Sequence, residues 1–289
     1  MANTSARSFV IDFFARKTFL YFFPAIIFVL LVGFSIYTKQ QTKTMHVFLF
    51  SLPVIFFIGG WSFYNYQRLA YFGITTLTGY NLTNHSGAFI EYAPEKYNVI
   101  AKIYLANREV QIANTDSHSM TIWRTIPEMM EKTGYSYTQL SRGLTRMSIR
   151  LFLTHPFLYG WSVLQSWILF WNEPGWWVWQ NAHNEITGRV LGYLWRAEKY
   201  LLVTLNLIFL ISVSYLFITK IIIKKKYPKT PLSILALVII ILTCSILQAL
   251  VEYGENARYS MQVKPFVILV VMLVLTSCQK IENIRKQNG

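Results

Sequence analysis

The sequence predicts an all-α membrane protein with about five transmembrane helices and a mainly helical extracytoplasmic domain. Hydrophobic residues make up 54% of the 289 residues and charged residues only 14%. Several apolar runs without any charge are long enough to cross a bilayer, and most acidic residues lie between the second and third of these runs. This composition excludes a soluble enzyme.

The net charge of +14 fits the same class. Lysines and arginines cluster beside the apolar runs, where such residues set topology and contact anionic lipid head groups. We therefore expect membrane lipid as a partner, and no nucleic acid.

Residues 1–64 are predicted to form an N-terminal arm and a two-span helical hairpin. The apolar runs 18–37 and 44–64 each have the length of a transmembrane helix, and the short polar link 38–43 joins them. Charged residues precede the first run, which is a full span in length, so we expect it to act as its own insertion signal.

Residues 65–199 are predicted to form the extracytoplasmic domain. Three segments repeat apolar residues every three and four positions, as packed helices do: 94–108, 121–132 and 136–155. Gly, Asn, Ser and Thr are dense at 77–81 and 84–87, so we expect turns at both places.

A stripe of arginines lies along the last of these predicted helices. Arg142, Arg146 and Arg150 recur every four residues and therefore share one helix face. Such a stripe is typical of a solvated or head-group-facing surface, and contact with a phosphate-bearing substrate is the alternative.

An aromatic segment at 156–179 lies within the domain. Its apolar part, 156–171, is short for a span, and six tryptophans lie within the segment. Tryptophan is typical of the aromatic belt at a membrane surface, although its ring can also hold a sugar. We interpret 156–171 as an interfacial or re-entrant helix.

Residues 200–289 are predicted to form a three-span bundle with an external loop at 251–264. The spans are expected at 200–223, 231–250 and 265–277.

The positive-inside rule orients these spans. Basic residues within 220–229 and after residue 277 place both segments in the cytoplasm, so the loop 251–264 lies outside. The domain is also outside if 156–171 does not cross, which leaves Arg16 and Lys17 on the unfavoured side. In the alternative model, the segment 156–171 crosses the membrane. The chain then has six spans, and the part of the domain up to residue 155 is cytoplasmic.

The loop 251–264 is short and charged between two apolar runs. It carries Glu252, Glu255, Arg258 and Lys264, and Gly254 permits an unusual backbone angle. A charged loop at a membrane surface indicates a binding site. A solvated hairpin whose charges keep it out of the lipid is the alternative.

Signatures of common soluble enzymes do not occur in the sequence. We find no glycine-rich phosphate loop, no Gly-x-Ser-x-Gly elbow and no Cys or His pair with metal-ligand spacing. The histidines are scattered, so we expect hydrogen-bonded or surface histidines and no metal site. No spacing singles out one general base, so the catalytic residue is unassigned; the candidates are Glu91, Asp116, Glu173, Glu185, Glu252 and Glu255.

Five stretches together carry a resemblance to a known family. They are 252–259 (Glu-Tyr-Gly-Glu-Asn-Ala-Arg-Tyr), 64–68 (Tyr-Asn-Tyr-Gln-Arg), 75–82 (Thr-Thr-Leu-Thr-Gly-Tyr-Asn-Leu), 89–94 (Phe-Ile-Glu-Tyr-Ala-Pro) and 155–159 (His-Pro-Phe-Leu-Tyr). The chain resembles the C-terminal portion of bacterial membrane glycosyltransferases of the C superfamily, which are related to protein O-mannosyltransferases and the lipid A aminoarabinose transferase. The first stretch is similar to their last external loop.

The resemblance implies transfer of sugar from a polyprenyl-phosphate donor at the external face of the bacterial inner membrane, with no other cofactor. The chemistry of the loop is compatible with such a donor: Arg258 offers donors to the lipid phosphate, Glu255 can orient its guanidinium, Tyr259 can support the carrier or the sugar, and Glu252 and Lys264 are assigned to the same binding site. In such enzymes the carboxylate base lies in the first external loop of a longer chain. We therefore expect an incomplete catalyst, with an N-terminal-half transferase subunit as a partner.

Two alternatives stand beside this interpretation. Glu255 and Arg258 form a pair that only holds the hairpin together, or the whole chain is a non-catalytic accessory or scaffold subunit that binds a lipid carrier or a partner transferase. A transporter is disfavoured, because no predicted span carries a charged residue away from its ends.

Overall fold

In a computed structural model of the protein, the described residues are helical and contain no strand, which confirms the predicted all-α class for that part of the chain. They comprise 42–115, 117–172, 184–218, 232–254 and 256–287. The predicted span at 18–37, the basic segment 220–229 and the tryptophans at 176–179 lie outside the described residues.

Ten α-helices occur within these ranges, and two 3-10 turns join the second helix to the third. In chain order the helices are α1 (Thr42–Leu69), α2 (Thr78–Ser86), α3 (Asn98–Thr115), α4 (Thr121–Thr133), α5 (Tyr137–Thr154), α6 (Pro156–Asn172), α7 (Glu185–Phe217), α8 (Leu232–Val251), α9 (Asn256–Ser260) and α10 (Lys264–Gln287). The 3-10 turns are Gly87–Tyr92 and Glu95–Tyr97.

Two of the described helices are long and apolar enough to cross a membrane. They contain the stretches Glu185–Tyr215 in α7 and Ile234–Val251 in α8, and a shorter apolar stretch, Lys264–Val274, begins α10. Their length and composition support association with a membrane.

Local sequence signals explain where several helices begin and end. The Ser136 hydroxyl accepts from the Gln139 N–H at 3.3 Å, and the Gln139 side chain accepts from the Ser136 N–H at 2.8 Å, which is a capping box for α5. Gly134 ends α4 in the left-handed conformation, with φ of +68°. The Asn184 side chain caps α7 by accepting from the Ile186 N–H at 2.9 Å.

The turns predicted at 77–81 and 84–87 are wrong, because most of both segments lies in α2. This polar helix packs against α5 and buries the Tyr80 ring completely. Gly79 permits the close approach, since a Cβ there would lie 2.0 Å from the carbonyl oxygen of Ser141. Tertiary packing thus overrides the turn preference of the Gly, Asn and Ser residues.

Helices α2 to α5, with the two 3-10 turns, form what we call the helical domain, residues 78–154. Helix α2 packs on α5, and α3 packs on α4. The described charged residues of the domain are all exposed or half-buried. Its core consists of fully buried apolar side chains, among them Tyr80, Ile90, Tyr104, Ile122, Met129, Leu140, Leu144, Met147 and Leu151.

The chain divides into two compact units. Within the described ranges, the first contains Thr44–Ile168 and Leu247–Asn256, and the second contains Leu169–Ile246 and Ala257–Gly289. In the second unit α7 packs against α10, and the Trp171 ring stacks on Phe209 with 5.6 Å between centroids.

Candidate functional site

A buried polar cluster lies in the first unit, at the end of α2 and the start of α6. It joins side chains from α2, the turn before α4, helix α6 and the segment after α8. Each of them is buried or largely buried and takes part in a hydrogen bond. We call this set the polar cluster: Asn84, His85, His118, Ser162, Ser166, Glu252 and Asn256.

Glu252 is at the centre of the polar cluster. Its side chain is almost inaccessible, and its Oε1 accepts a hydrogen bond from the Asn84 Nδ2 at 2.8 Å. Its backbone carbonyl accepts from the Ser166 hydroxyl at 2.7 Å, and Asn256 Nδ2 donates to the Ser166 carbonyl at 2.8 Å. These bonds hold the segment after α8 against α2 and α6, because buried polar groups are costly to leave unpaired.

His85 is fully buried between α6 and the segment after α8. Its Nδ1 lies 2.8 Å from the Ser162 hydroxyl, and its ring meets Tyr253 edge-on with 5.8 Å between centroids. Burial, with a smaller contribution from nearby His118, lowers the pKa of His85 to about 3. The ring is therefore neutral at physiological pH.

His118 supports the same segment from the turn before α4. Its Nε2 lies 3.1 Å from the Asn84 carbonyl oxygen, and its ring stacks on Tyr253 with 4.8 Å between centroids. Burial lowers the pKa of His118 as well. The prediction of hydrogen-bonded histidines is confirmed for His85 and His118.

Gly254 is confirmed as a position with an unusual backbone angle. Its φ is +108°, and a Cβ would lie 2.4 Å from the Ser119 Cβ. A side chain at this position would clash as well as strain the backbone. The close contact fixes the segment after α8 to the turn that also carries His118.

A second group, which we call the basic turn, contains Arg258, Tyr259 and Lys264 of the second unit. Two backbone hydrogen bonds close it, from Gln262 N–H to the Tyr259 carbonyl at 3.4 Å and from Val263 N–H to the Ser260 carbonyl at 3.1 Å. Arg258 is exposed, and its guanidinium carbon lies 5.9 Å from the centroid of the buried Tyr259 ring.

Lys264 is the unusual member of the basic turn. Only 4% of it is exposed, and within the described ranges its Nζ has no hydrogen-bond partner. Burial lowers its pKa to about 8, so most of the lysine remains protonated at pH 7.

The five predicted site residues thus have different surroundings. Glu252 belongs to the polar cluster of the first unit, whereas Arg258, Tyr259 and Lys264 form the basic turn of the second. Glu255 lies outside the described residues, so its predicted pairing with Arg258 remains a prediction.

All three described candidates for a general base are already paired. Glu91 accepts from Arg108 at 3.0 Å, Glu185 bonds Arg189, and Glu252 bonds Asn84. Asp116 and Glu173 lie outside the described ranges. No group of three His, Cys, Asp or Glu side chains in the described part of the chain could hold a metal ion.

Sequence reasoning missed Asn84, Ser162, Ser166 and Asn256. A signal for two of them was present, because Ser162 and Ser166 stand four residues apart in a helix without any charge. Polar residues at helical spacing in an apolar helix indicate a buried polar face. Asn84 gave no comparable signal, since its partner Glu252 is 168 residues away.

In comparisons with known proteins, no family model matches this chain, and neither a curated protein nor a solved structure matches it. The resemblance to glycosyltransferases rests on the five sequence stretches.

Proposed function

We propose that this chain is part of a multi-pass membrane protein of the glycosyltransferase type, which binds a polyprenyl-phosphate-linked sugar at the external face of the bacterial inner membrane. Contacts made by three of the five glycosyltransferase-like stretches support this. Tyr92, from 89–94, stacks on His155 with 4.5 Å between centroids. Tyr159, from the same stretch as His155, donates to the Leu250 carbonyl at 2.8 Å, beside the loop stretch.

The stretch at 64–68 is held in the same unit. Asn65 Nδ2 donates to the Gly73 carbonyl at 2.8 Å and to the Ile74 carbonyl at 3.1 Å, at the entrance to the stretch 75–82. Of these four contacts, the one between Tyr92 and His155 joins two of the stretches directly, and the other three join a stretch to a residue that lies just before another stretch.

The basic turn supplies the charge that a lipid phosphate needs. An ammonium buried without a hydrogen-bond partner in the described residues is stabilised when an anion contacts it. Arg258 adds a planar fork of donors that suits phosphate oxygens. Lys264 and Arg258 therefore support binding of the phosphate of the carrier.

A binding measurement tests this role. Polyprenyl phosphate is titrated into the full chain in lipid nanodiscs, comparing wild type with Lys264→Met and Arg258→Ala. We expect each substitution to weaken binding by about tenfold or more, because hydrogen bonds to charged groups contribute about 1.5–3 kcal/mol. Arg196→Ala is the matched control, since Arg196 is also exposed and lies 5.1 Å from the ring of Tyr193.

Unchanged affinity in both variants, or an equal loss in Arg196→Ala, contradicts the lipid-phosphate role. In that case Arg258 only stabilises the turn through its contact with Tyr259.

The orientation has its own test. About five spans with the helical domain outside require residue 134 to be external. Gly134 suits a reporter insertion, because it lies in a turn with open space around its Cα. We expect a periplasmic reporter to be active there, and activity of a cytoplasmic reporter instead supports the six-span alternative.

A non-catalytic accessory subunit is the second candidate, and the pairing of Glu91, Glu185 and Glu252 favours it. Transfer from a radiolabelled polyprenyl-phosphate sugar separates the two candidates. Transfer by this chain together with the protein encoded upstream supports a split transferase, whereas carrier binding without transfer supports the accessory subunit.

A further inference from the structure

Helix α6 has the reverse polarity of a helix in water. It contains no charged residue. Its buried side includes Ser162 and Ser166, whereas Phe157 is 92% exposed and Trp161 60% exposed.

The exposed apolar residues of α6 form one stripe. Phe157, Trp161, Leu164 and Ile168 are spaced by four, three and four residues, and all four are exposed. That spacing places them on a single face of the helix, opposite Ser162 and Ser166. A continuous apolar stripe of this kind marks contact with a membrane or with another protein.

The exposed face of the preceding helix, α5, carries the predicted arginine stripe. Arg146, Arg150, Ile149 and Leu153 are all exposed on it, and Arg142 is half-buried. The five positions fall on one helix face by their spacing. No ion pair joins the three arginines to an acidic residue in the described ranges.

The two faces are continuous along the chain. Only His155 separates α5 from α6, and the exposed Leu153 at the end of one helix is followed four residues later by Phe157 in the other. Cationic side chains therefore give way to an apolar stripe within a few residues, which is the arrangement of a segment at a bilayer surface.

We propose that α5 and α6 form a membrane-contact surface in which Arg142, Arg146 and Arg150 bind anionic phospholipid head groups while the α6 stripe enters the edge of the acyl region. Guanidinium groups match the phosphate oxygens in charge and geometry, and tryptophan and phenylalanine favour the interface. On this proposal α6 lies along the membrane. The inference rests on the membrane location in the proposed function.

Nitroxide labels in lipid nanodiscs test the surface. In a variant of the full chain with Cys244→Ala and Cys278→Ser, one label replaces Phe157, one replaces Ile246 in α8, and one replaces the exposed Glu131 of α4. Relaxation by oxygen, which concentrates in lipid, is compared with relaxation by a water-soluble nickel chelate. We expect oxygen to dominate at 157 and 246, and the chelate to dominate at 131.

The label at 246 distinguishes failure of the contact surface from failure of the membrane location. If 246 reports lipid while 157 reports water, the membrane location stands and the contact surface is overturned. A label at 157 that is shielded from both reagents also overturns it and indicates a protein partner or a second copy. If 246 also reports water, the membrane location in the proposed function fails.

The head-group part is tested with nanodiscs that contain a fluorescent phosphatidylglycerol in a neutral phosphatidylcholine bilayer. We expect Arg146→Ala and Arg150→Ala each to reduce the preference for phosphatidylglycerol about fivefold, the usual contribution of one basic residue at an anionic surface. Arg124→Ala is the control, since Arg124 is exposed on the neighbouring α4. An unchanged preference in both α5 variants, or an equal loss in the control, overturns the head-group contact.

Discussion

The helical domain and the long apolar helices differ in what they expose: charged side chains lie on the surface of the domain, whereas α8 and residues 200–217 of α7 contain no charged residue. In the helical domain the fully buried positions are apolar, as at Met129 and Leu144, or polar and uncharged, as at Asn84 and Ser148, and the described charged residues are exposed or half-buried. In α7 and α8 the buried positions include Asn206 and Gln248, while Ile211 is 67% exposed.

The identity of the exposed residues therefore separates the two regions, since both bury apolar and uncharged polar side chains. Water drives apolar side chains inward. A lipid environment exerts no such drive, so helices there associate through small and polar residues and turn aliphatic residues outward. Helix α6, with its buried serines and exposed Phe157, follows the second pattern although it has only 17 residues.

Truncation of one aliphatic residue in each region is expected to give the largest difference in stability. Leu144→Ala removes a fully buried side chain from the helical domain, and we expect it to lower the free energy of unfolding by about 2–5 kcal/mol. Ile211→Ala trims an exposed aliphatic residue of α7, and we expect a change within about 0.5 kcal/mol. Denaturant titration of the full chain in detergent measures both, and equal losses would contradict the assignment of two environments.

Two buried asparagines, one in each region, test whether polar contacts contribute differently to stability in the two regions. Asn84→Ala removes the donor to the buried Glu252 carboxyl, so we expect a loss of about 1–3 kcal/mol. Asn206 donates to the Trp171 carbonyl within an apolar helix pair, where such bonds contribute about 0.6 kcal/mol on average.

The same titration measures both asparagine variants. A loss for Asn206→Ala that equals or exceeds the loss for Asn84→Ala would show that the two polar contacts do not differ as their surroundings suggest. Asn107→Ala is the control for the helical domain, because Asn107 makes a local bond to the Ile103 carbonyl at 2.9 Å within α3.

Most of the helices could be predicted from the sequence, because their signals are local. The predicted segment 121–132 agrees with α4 within one residue, and 136–155 agrees with α5 within one residue at each end. Helix α2 could not be predicted, because its Gly and Asn residues favour turns and its stability comes from contact with α5.

The candidate site was predictable only in part. The charge pattern singled out the loop 251–264 and the need for an unusual backbone angle at Gly254, because both depend on neighbouring residues. The burial of Glu252 depends on Asn84 and Ser166, which come from two other helices. Hydrogen bonds over such separations leave no pattern in a single sequence.

The buried histidines provide the smallest expected effect, a loss of stability in mild acid. The pKa of His85 is about 3 in the folded protein and about 6.5 in an unfolded chain, so the unfolded chain takes up a proton that the folded protein does not. The contribution of neutral His85 to the free energy of unfolding is therefore fully present above about pH 7, and it decreases as the pH drops below 6.5. We expect a loss of about 0.7 kcal/mol between pH 7 and pH 6 from His85.

His118 adds to this loss in the same direction, because burial lowers its pKa too. The groups that face His85 are the Ser162 hydroxyl, the rings of Phe152, Tyr159 and Tyr253, and nearby His118, and none of them is negatively charged at these pH values. Burial has the largest effect on the pKa of His85 and lowers it, although the backbone of Glu252 and Ala249 raises it. The free energy of unfolding, measured at pH 7, 6 and 5 in detergent, gives the slope of stability against pH. We expect His85→Gln to be less stable at pH 7 but to lose less on acidification, and a slope equal to that of the wild type would show that the His85 ring accepts a proton without unfolding.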